Sequence, residues 1–315
     1  MGKRHDVRTV AAGKWRSILS VLGLDERALS GKHGPCPICG GKDRFKFDDL
    51  EGRGTYYCSR CGAGDGVQLA MGITGLAFKD VAQKIEQIAG TVRPTASKPE
   101  RSDEAKLDVL RRVFRESAPI KRGDEAEQYF LGRGLRLHDL PESIRLHPGL
   151  QYRDGGALVG NFPAMLATVT SATGRAISIH RTYLYGGKKA PVSAPKKLMQ
   201  GLPLAGAAIR LAPLSDCLGI AEGIETAVAA SELFDVPTWS CISTSGIESF
   251  EPPGGVNGVI IFADNDANFA GQSAAYRAAH RLGIRGFDVE VHIPPNVGDW
   301  LDELNRRNQK MQERN

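Results

Sequence analysis

Two Cys-x2-Cys pairs, Cys36/Cys39 and Cys58/Cys61, are separated by 18 residues near the start of the chain. Two such pairs at this distance converge naturally on one tetrahedral ion, which is how a structural zinc ribbon is built. Each pair sits in a turn rich in glycine, Cys36-Pro37-Ile38-Cys39-Gly40-Gly41 and Cys58-Ser59-Arg60-Cys61-Gly62. The competing use of four cysteines is a pair of disulfides in a small secreted domain. No charged-then-apolar leader opens this sequence, and its 315 residues hold enough apolar material for a core without covalent staples. Structural Zn2+ on Cys36, Cys39, Cys58 and Cys61 is therefore the expectation. Cys217 and Cys241, in apolar stretches, read as core thiols.

A ribbon names no activity, and composition adds only bounds. Hydrophobic residues make up 41% and charged residues 24%, the balance of an ordinary globular protein with room for two or three domains. No apolar run reaches the ~20 residues of a membrane span, so no membrane partner is expected and a reducing cytoplasm is the expected location. Net charge is +5, and its placement says more than its size. Between Asp154 and Asp216 there is no acidic residue, while Arg175, Arg181, Lys188, Lys189, Lys196, Lys197 and Arg210 all fall there. Charge of one sign over such a length suits a polyanion, either nucleic acid or a triphosphate, unless it is simply a solvated face.

The order of elements follows from periodicity. Residues 7–24 have helical spacing. A ribbon follows, with Arg44–Phe47 and Thr55–Tyr57 alternating as strands, and then one or two helices from Val67 to Gly90. Residues 91–104, polar and with two prolines, read as a linker. Helices are expected at Ala105–Ala118 and Glu125–Leu131, and a Gly- and Pro-rich α+β segment up to residue 215. From Cys217 short apolar strands alternate with helices, the pattern of an open α/β sheet. The expected domains are thus a ribbon domain (1–90), the linker, a basic subdomain (105–215), an α/β catalytic domain (216–304) and a polar frayed helix or tail (305–315). The fold class is α/β with an N-terminal four-Cys zinc ribbon.

Acidic residues stand where such sheets place their chemistry, after the carboxyl ends of strands. Glu222 follows Ile220-Ala221, with Gly223 opening a helix; Asp264 and Asp266 follow Ile260–Ala263; Asp299 and Asp302 come after the strand VEVHI. Residues i and i+2 of extended chain face the same side, so Asp264 and Asp266 can share a hard cation such as Mg2+ or Mn2+. Taken singly, each motif also reads as a turn or a helix cap.

A glutamate followed at a later strand end by Asp-x-Asp resembles the Toprim domain of bacterial primases, topoisomerases and some nucleases. In that family these acids hold divalent metal for phosphoryl transfer. Thr226 departs from the pattern, since many bacterial primases carry an aspartate there, and Glu225 is the adjacent carboxylate. Tyr129–Leu135 is similar to the Tyr-Leu-x-x-Arg-Gly segment of DnaG-type primases. Asn161–Pro163, Gly174-Arg175, Ser178–Arg181 and Pro195–Lys197 resemble their basic subdomain. The resemblance implies phosphate contacts at Arg133, Arg181 and Lys196 or Lys197, and template contacts on the ribbon at Arg44 and Lys46 with Tyr56 and Tyr57. Phe45 and Phe47 are expected to pack the ribbon. His33 is a spare ligand candidate, expected to be at most a neighbour of the zinc site or a phosphate contact. The four-Cys ribbon with Gly-Gly-Lys-Asp-Arg-Phe looks like the branch carried by phages, plasmids and integrated elements. The implied activity is RNA primer synthesis on single-stranded DNA from nucleoside triphosphates, with catalytic Mg2+ or Mn2+. No Gly-x4-Gly-Lys-Ser/Thr segment is present, so a separate replicative helicase is the expected partner. A non-catalytic recombination mediator with a zinc site and Toprim-like fold is the alternative.

Overall fold

The computed structural model describes residues 6–91, 102–135, 141–154 and 156–314, in two compact units divided between Arg101 and Ser102. In the first unit, α1 (Val7–Ala11) and α2 (Trp15–Val21) replace the single expected helix. The break falls at Gly13, whose φ of 72° lies in the left-handed region and whose N–H donates to Gly52 O, 2.8 Å. Strands β1 (Gly34–Cys36), β2 (Gly40–Phe47), β3 (Tyr56–Cys58) and β4 (Gly62–Gly64) form an antiparallel sheet in that order. Helices α3 (Gly66–Thr74) and α4 (Phe78–Ala89) close it. Asp65 starts α3 with a reciprocal cap, accepting from Gln68 N while the Gln68 amide accepts from Asp65 N.

The core of this unit gathers Trp15, Ile18, Leu19, Phe45, Phe47, Leu69, Val81 and Ile85, each at most 1% exposed. Period-2 alternation along β2 explains the choice: Phe45 and Phe47 go in, Arg44 and Lys46 stay on the other face. The expected linker lies mostly outside the described residues. Its end is already helix, since Ser102 caps α5 (Asp103–Arg115).

The second unit continues with β5 (Ala118–Pro119), α6 (Glu125–Gly132), β6 (Ile144–Asp154), β7 (Ala157–Thr170), β8 (Ala176–Tyr185), β9 (Lys188–Lys189), β10 (Lys196–Leu198) and β11 (Ala208–Ile209). Then come β12 (Cys217–Ala221), α7 (Ile224–Phe234), β13 (Thr238–Ser240), α8 (Thr244–Ser249), β14 (Gly258–Phe262), α9 (Ala270–Gly283), β15 (Asp288–His292) and α10 (Trp300–Gln312). Strands β13-β12-β14-β15 are parallel, and β10-β8-β7 are antiparallel. Two-residue β11 pairs antiparallel with both β7 and β13 and so welds the two halves into one sheet. The expected boundary at 215/216 therefore falls inside a continuous sheet.

This weld positions the site, because it sets the basic strands β8 and β10 in the same sheet as the carboxyl ends of β12 and β14. The expected frayed helix or tail is helix: α10 runs on to Gln312. An Asp299–Asp302 capping box starts it, and buried Leu301 and Leu304 anchor it. Among the described residues no helix is long and apolar enough to cross a membrane.

Candidate active site

The four cysteine sulfurs lie within 4.8 Å of one another. Cys36 Sγ is 3.9 Å from Cys61 Sγ, and Cys39 Sγ is 3.7 Å from Cys58 Sγ. With Zn–S bonds of about 2.3 Å, a regular tetrahedron puts its sulfurs about 3.8 Å apart, so the donor set fits zinc. Backbone N–H groups of Ile38, Arg60 and Cys61 point at Cys36 and Cys58 Sγ, each at 3.4 Å. Burial alone would raise the Cys58 thiol, but the donors from Cys61 and Arg60 bring it down to about 7. His33 stands outside the ligand set, its Nδ1 3.1 Å from Asp43 O. On the ribbon's outer face Lys46 pairs across strands with Tyr57, which is 43% exposed, and Arg44 lies two residues along. Tyr56 turns inward against Phe45, ring centroids 5.5 Å apart.

In the second unit a cavity of about 290 Å3 opens at the carboxyl ends of the parallel strands. Glu222, Asp264 and Asp299 line it together with Arg133, Lys189, Lys196, His180, Glu225 and Thr226. Glu222 directly follows β12. Its carbonyl accepts from Ser240 Oγ and from Ile242 N, both 2.8 Å, and the latter holds Ile242 at the unusual φ of 74°. Asp264 and Asp266 flank Asn265, which ties the loop down on the other side. The Asn265 amide donates to Pro294 O and accepts from Gln272, both 2.9 Å, and its backbone bridges Gly298. Gly271 lets α9 approach this loop, since a Cβ there would meet Asp264 O at 2.7 Å. Asp266 does not line the cavity, and its Oδ2 accepts from Gly271 N, 3.2 Å. Asp299 lines the wall while capping α10, its carboxylate accepting from Asp302 N, 3.0 Å, while its own N–H donates to the Asp302 carboxylate, 3.2 Å.

The acids are strained electrostatically. Burial and then the charge of Asp266 push Glu222 up to about 7. Burial, Glu222, Asp299 and Asp266 do the same to Asp264, also to about 7. Asp264 Oδ1 is buried without a hydrogen-bond partner among the described residues. Hard carboxylate oxygens that repel one another suit a divalent metal. Among the described residues only the cysteines bring three or more ligand atoms within 4.8 Å, so these carboxylates stand further apart.

Register decides which basic residues face the acids. Lys196 pairs with Thr182, Lys197 with Arg181 and Leu198 with His180. Lys196 and His180 therefore share one sheet face, and Lys197 and Arg181 the other. Lys197 stacks on Tyr152, 3.9 Å from the ring centroid, and donates to Arg153 O, 2.7 Å. Arg181 donates to Tyr183 Oη at 3.1 Å and Leu198 O at 3.2 Å. Arg133 and Lys196 thus join the acids, while Arg181 and Lys197 do not. Lys189, from the acid-free basic stretch, and His180, from the Ser178–Arg181 segment, take their place. Glu225 lies beneath them, bonded to Tyr129 Oη and to Lys196 Nζ at 2.9 Å. Burial opposes its charge, but Lys196 and Tyr129 hold its carboxyl down at about 2.

Comparison with known families matches residues 31–67 to the zinc-binding domain of primase-helicase and residues 217–309 to the Toprim domain. Residues 31–67 and 217–309 thus carry a primase-helicase-type zinc ribbon and a Toprim module. Residues 104–211 match a domain of unknown function (DUF7146). The ribbon match holds all four cysteines, the Toprim match holds Glu222, Asp264, Asp266 and Asp299, and the middle match holds Arg133, His180, Lys189 and Lys196. The cavity is therefore built across the seam of two matched segments.

Among solved structures, the chain is similar to the primase fragment of the bacteriophage T7 primase-helicase protein, at 16% identity and TM-score 0.38, over 90% of this chain and 98% of that one. It is similar to the Aquifex aeolicus primase, zinc-binding and RNA polymerase domains, at 14% identity and TM-score 0.44, over 100% and 85%. A Pseudomonas aeruginosa DNA primase domain matches at 14% identity and TM-score 0.42, over 64% and 74%.

Proposed function

We propose that the protein synthesises RNA primers on single-stranded DNA. The observation that carries this reading is one cavity in which Glu222, Asp264 and Asp299 face Arg133, Lys189 and Lys196. Acids and bases so arranged match a triphosphate accompanied by divalent metal. Mg2+ or Mn2+ held by Glu222, Asp264 and Asp266, with Asp299 beside them, would lower the pKa of the attacking 3′-hydroxyl and offset charge on the phosphates.

The chain's own residues do the positioning. Arg133 grips phosphate oxygens bidentately, and Lys189 and Lys196 add point charges. Glu225 and Tyr129 hold Lys196 at the cavity mouth. In the ribbon, Arg44 and Lys46 pair with template phosphates and Tyr57 stacks on a base. The Toprim and ribbon matches support this reading, and the four-Cys ribbon supports a phage, plasmid or integrated-element setting with a separate helicase.

The test is incorporation of labelled ribonucleotides on defined single-stranded templates, with and without Mg2+. Metal-dependent incorporation that Asp264→Ala abolishes, with DNA binding intact, is expected. DNA binding without incorporation would overturn the reading in favour of a non-catalytic recombination mediator.

A further inference from the structure

His180 lines the acidic cavity, but neither the carboxylates nor the cations use it. It stands on β8 opposite Leu198, on the same sheet face as Lys196 and displaced from it by one alternation. The residue is 8% exposed, and its Nδ1 has no hydrogen-bond partner among the described residues. A buried, unpaired imidazole nitrogen is costly to the fold, and the ring forms part of the cavity wall that a ligand would meet. Burial first, and then the charge of Lys196, lower the ring to about 4, so it is neutral at physiological pH. A neutral imidazole offers one donor and one acceptor and does not compete for phosphate.

A nucleoside triphosphate brings three kinds of polar group to such a cavity. The phosphates are anionic and match Arg133, Lys189 and Lys196. The base edge differs between nucleotides and must stay free to pair with a template. The sugar hydroxyls are neutral and the same in every ribonucleotide, so they are what a fixed neutral donor and acceptor can read. We infer that His180 hydrogen-bonds the ribose 2′-hydroxyl of the bound nucleoside triphosphate and thereby favours ribonucleotides over 2′-deoxyribonucleotides. The inference rests on the primase reading of the cavity, and it makes His180 a specificity residue of that site.

Equilibrium binding of ATP and of 2′-deoxyATP to the full chain in Mg2+, without template, tests it apart from turnover. Wild type should prefer ATP. His180→Leu should cut that preference about fivefold, the factor one neutral hydrogen bond supplies, with 2′-deoxyATP binding unchanged. His180→Gln, which keeps a donor and an acceptor, should retain most of the preference. His180→Ala serves in place of Leu if the larger side chain prevents folding, as judged by thermal melting.

Equal weakening of both nucleotides, or a preference that survives the substitution, overturns the proposal. So does an unchanged preference with a higher Mg2+ requirement, which would mark a metal ligand. If wild type incorporates no nucleotide in the primer assay, the primase reading fails, while the binding ratio still judges His180.

Discussion

Lys196 Nζ lies 2.9 Å from the carboxylate of Glu225, so the basic strand β10 is tied to the first turn of the helix that follows the Glu222 strand end. Glu225 is buried, and its other partner is the Tyr129 hydroxyl on α6. Three parts of the sequence separated by up to 96 residues thus meet at one carboxylate. Glu225 is the one acid in the first turn of this helix. Its geometry makes it the holder of Lys196.

Glu225→Gln should therefore weaken the fold and displace Lys196. Breaking a fully buried pair costs about 3–5 kcal/mol; Lys196 still reaches solvent, so about 2 kcal/mol is expected in urea unfolding at pH 7. The pH dependence has a definite sign. A folded-state pKa near 2, below the ordinary 4.5, contributes stability that is present above pH 4.5 and lost as pH falls toward 2. In the Gln variant this part of the acid sensitivity should vanish, which unfolding curves at pH 3 and pH 6 would check.

Asp264→Asn should do the reverse in metal-free protein. It removes one charge from a group of mutually repelling acids, so thermal stability in EDTA should rise by about 1 kcal/mol. The same substitution should erase the rise in melting temperature that Mg2+ gives wild type. A variant still stabilised by Mg2+ as strongly as wild type would place the metal elsewhere.

Much of this site is legible in the sequence because strand-end acids are a local signal. Glu222, Asp264 and Asp299 each follow an apolar strand, and topology alone brings such ends to one edge. The basic half is harder to read. Arg181 and His180 are neighbours in sequence, yet they point to opposite faces, and only pairing with Lys197 and Leu198 fixes which faces the acids. That pairing depends on the weld through β11, two residues long and without periodicity of its own. The split of the first helix at Gly13, and the choice between frayed helix and tail that α10 settles through residue 312, turn on a related reason. Each is decided by tertiary contacts, Gly13 with Gly52 and Leu304 within the core, that override a local pattern.

The ribbon should behave as a separately melting, zinc-dependent unit, because its core is its own. Cys39→Ser, or strong chelation, should remove the zinc-coupled transition of residues 6–91 and leave that of residues 102–314 in place, as scanning calorimetry would show. Zinc content should fall from one ion per chain to near zero. Loss of both transitions together would contradict the division into two units.

The outer and inner faces of β2 and β3 give opposite predictions for neighbouring aromatics. Phe45 is fully buried, so Phe45→Ala should cost the ribbon about 3–5 kcal/mol and release zinc more readily. Tyr57 is exposed beside Lys46, so Tyr57→Ala should leave stability within about 0.5 kcal/mol. It should instead weaken single-stranded DNA binding by about 1–3 kcal/mol, the worth of one stacked base. Lys46→Ala should lower the salt dependence of that binding by about 0.7 in the slope of log K against log salt, as expected for one phosphate contact. Fluorescence anisotropy of a labelled oligonucleotide across a salt series reads both effects. A Tyr57 variant that binds as wild type, with a salt slope unmoved by Lys46→Ala, would remove this face as the template surface.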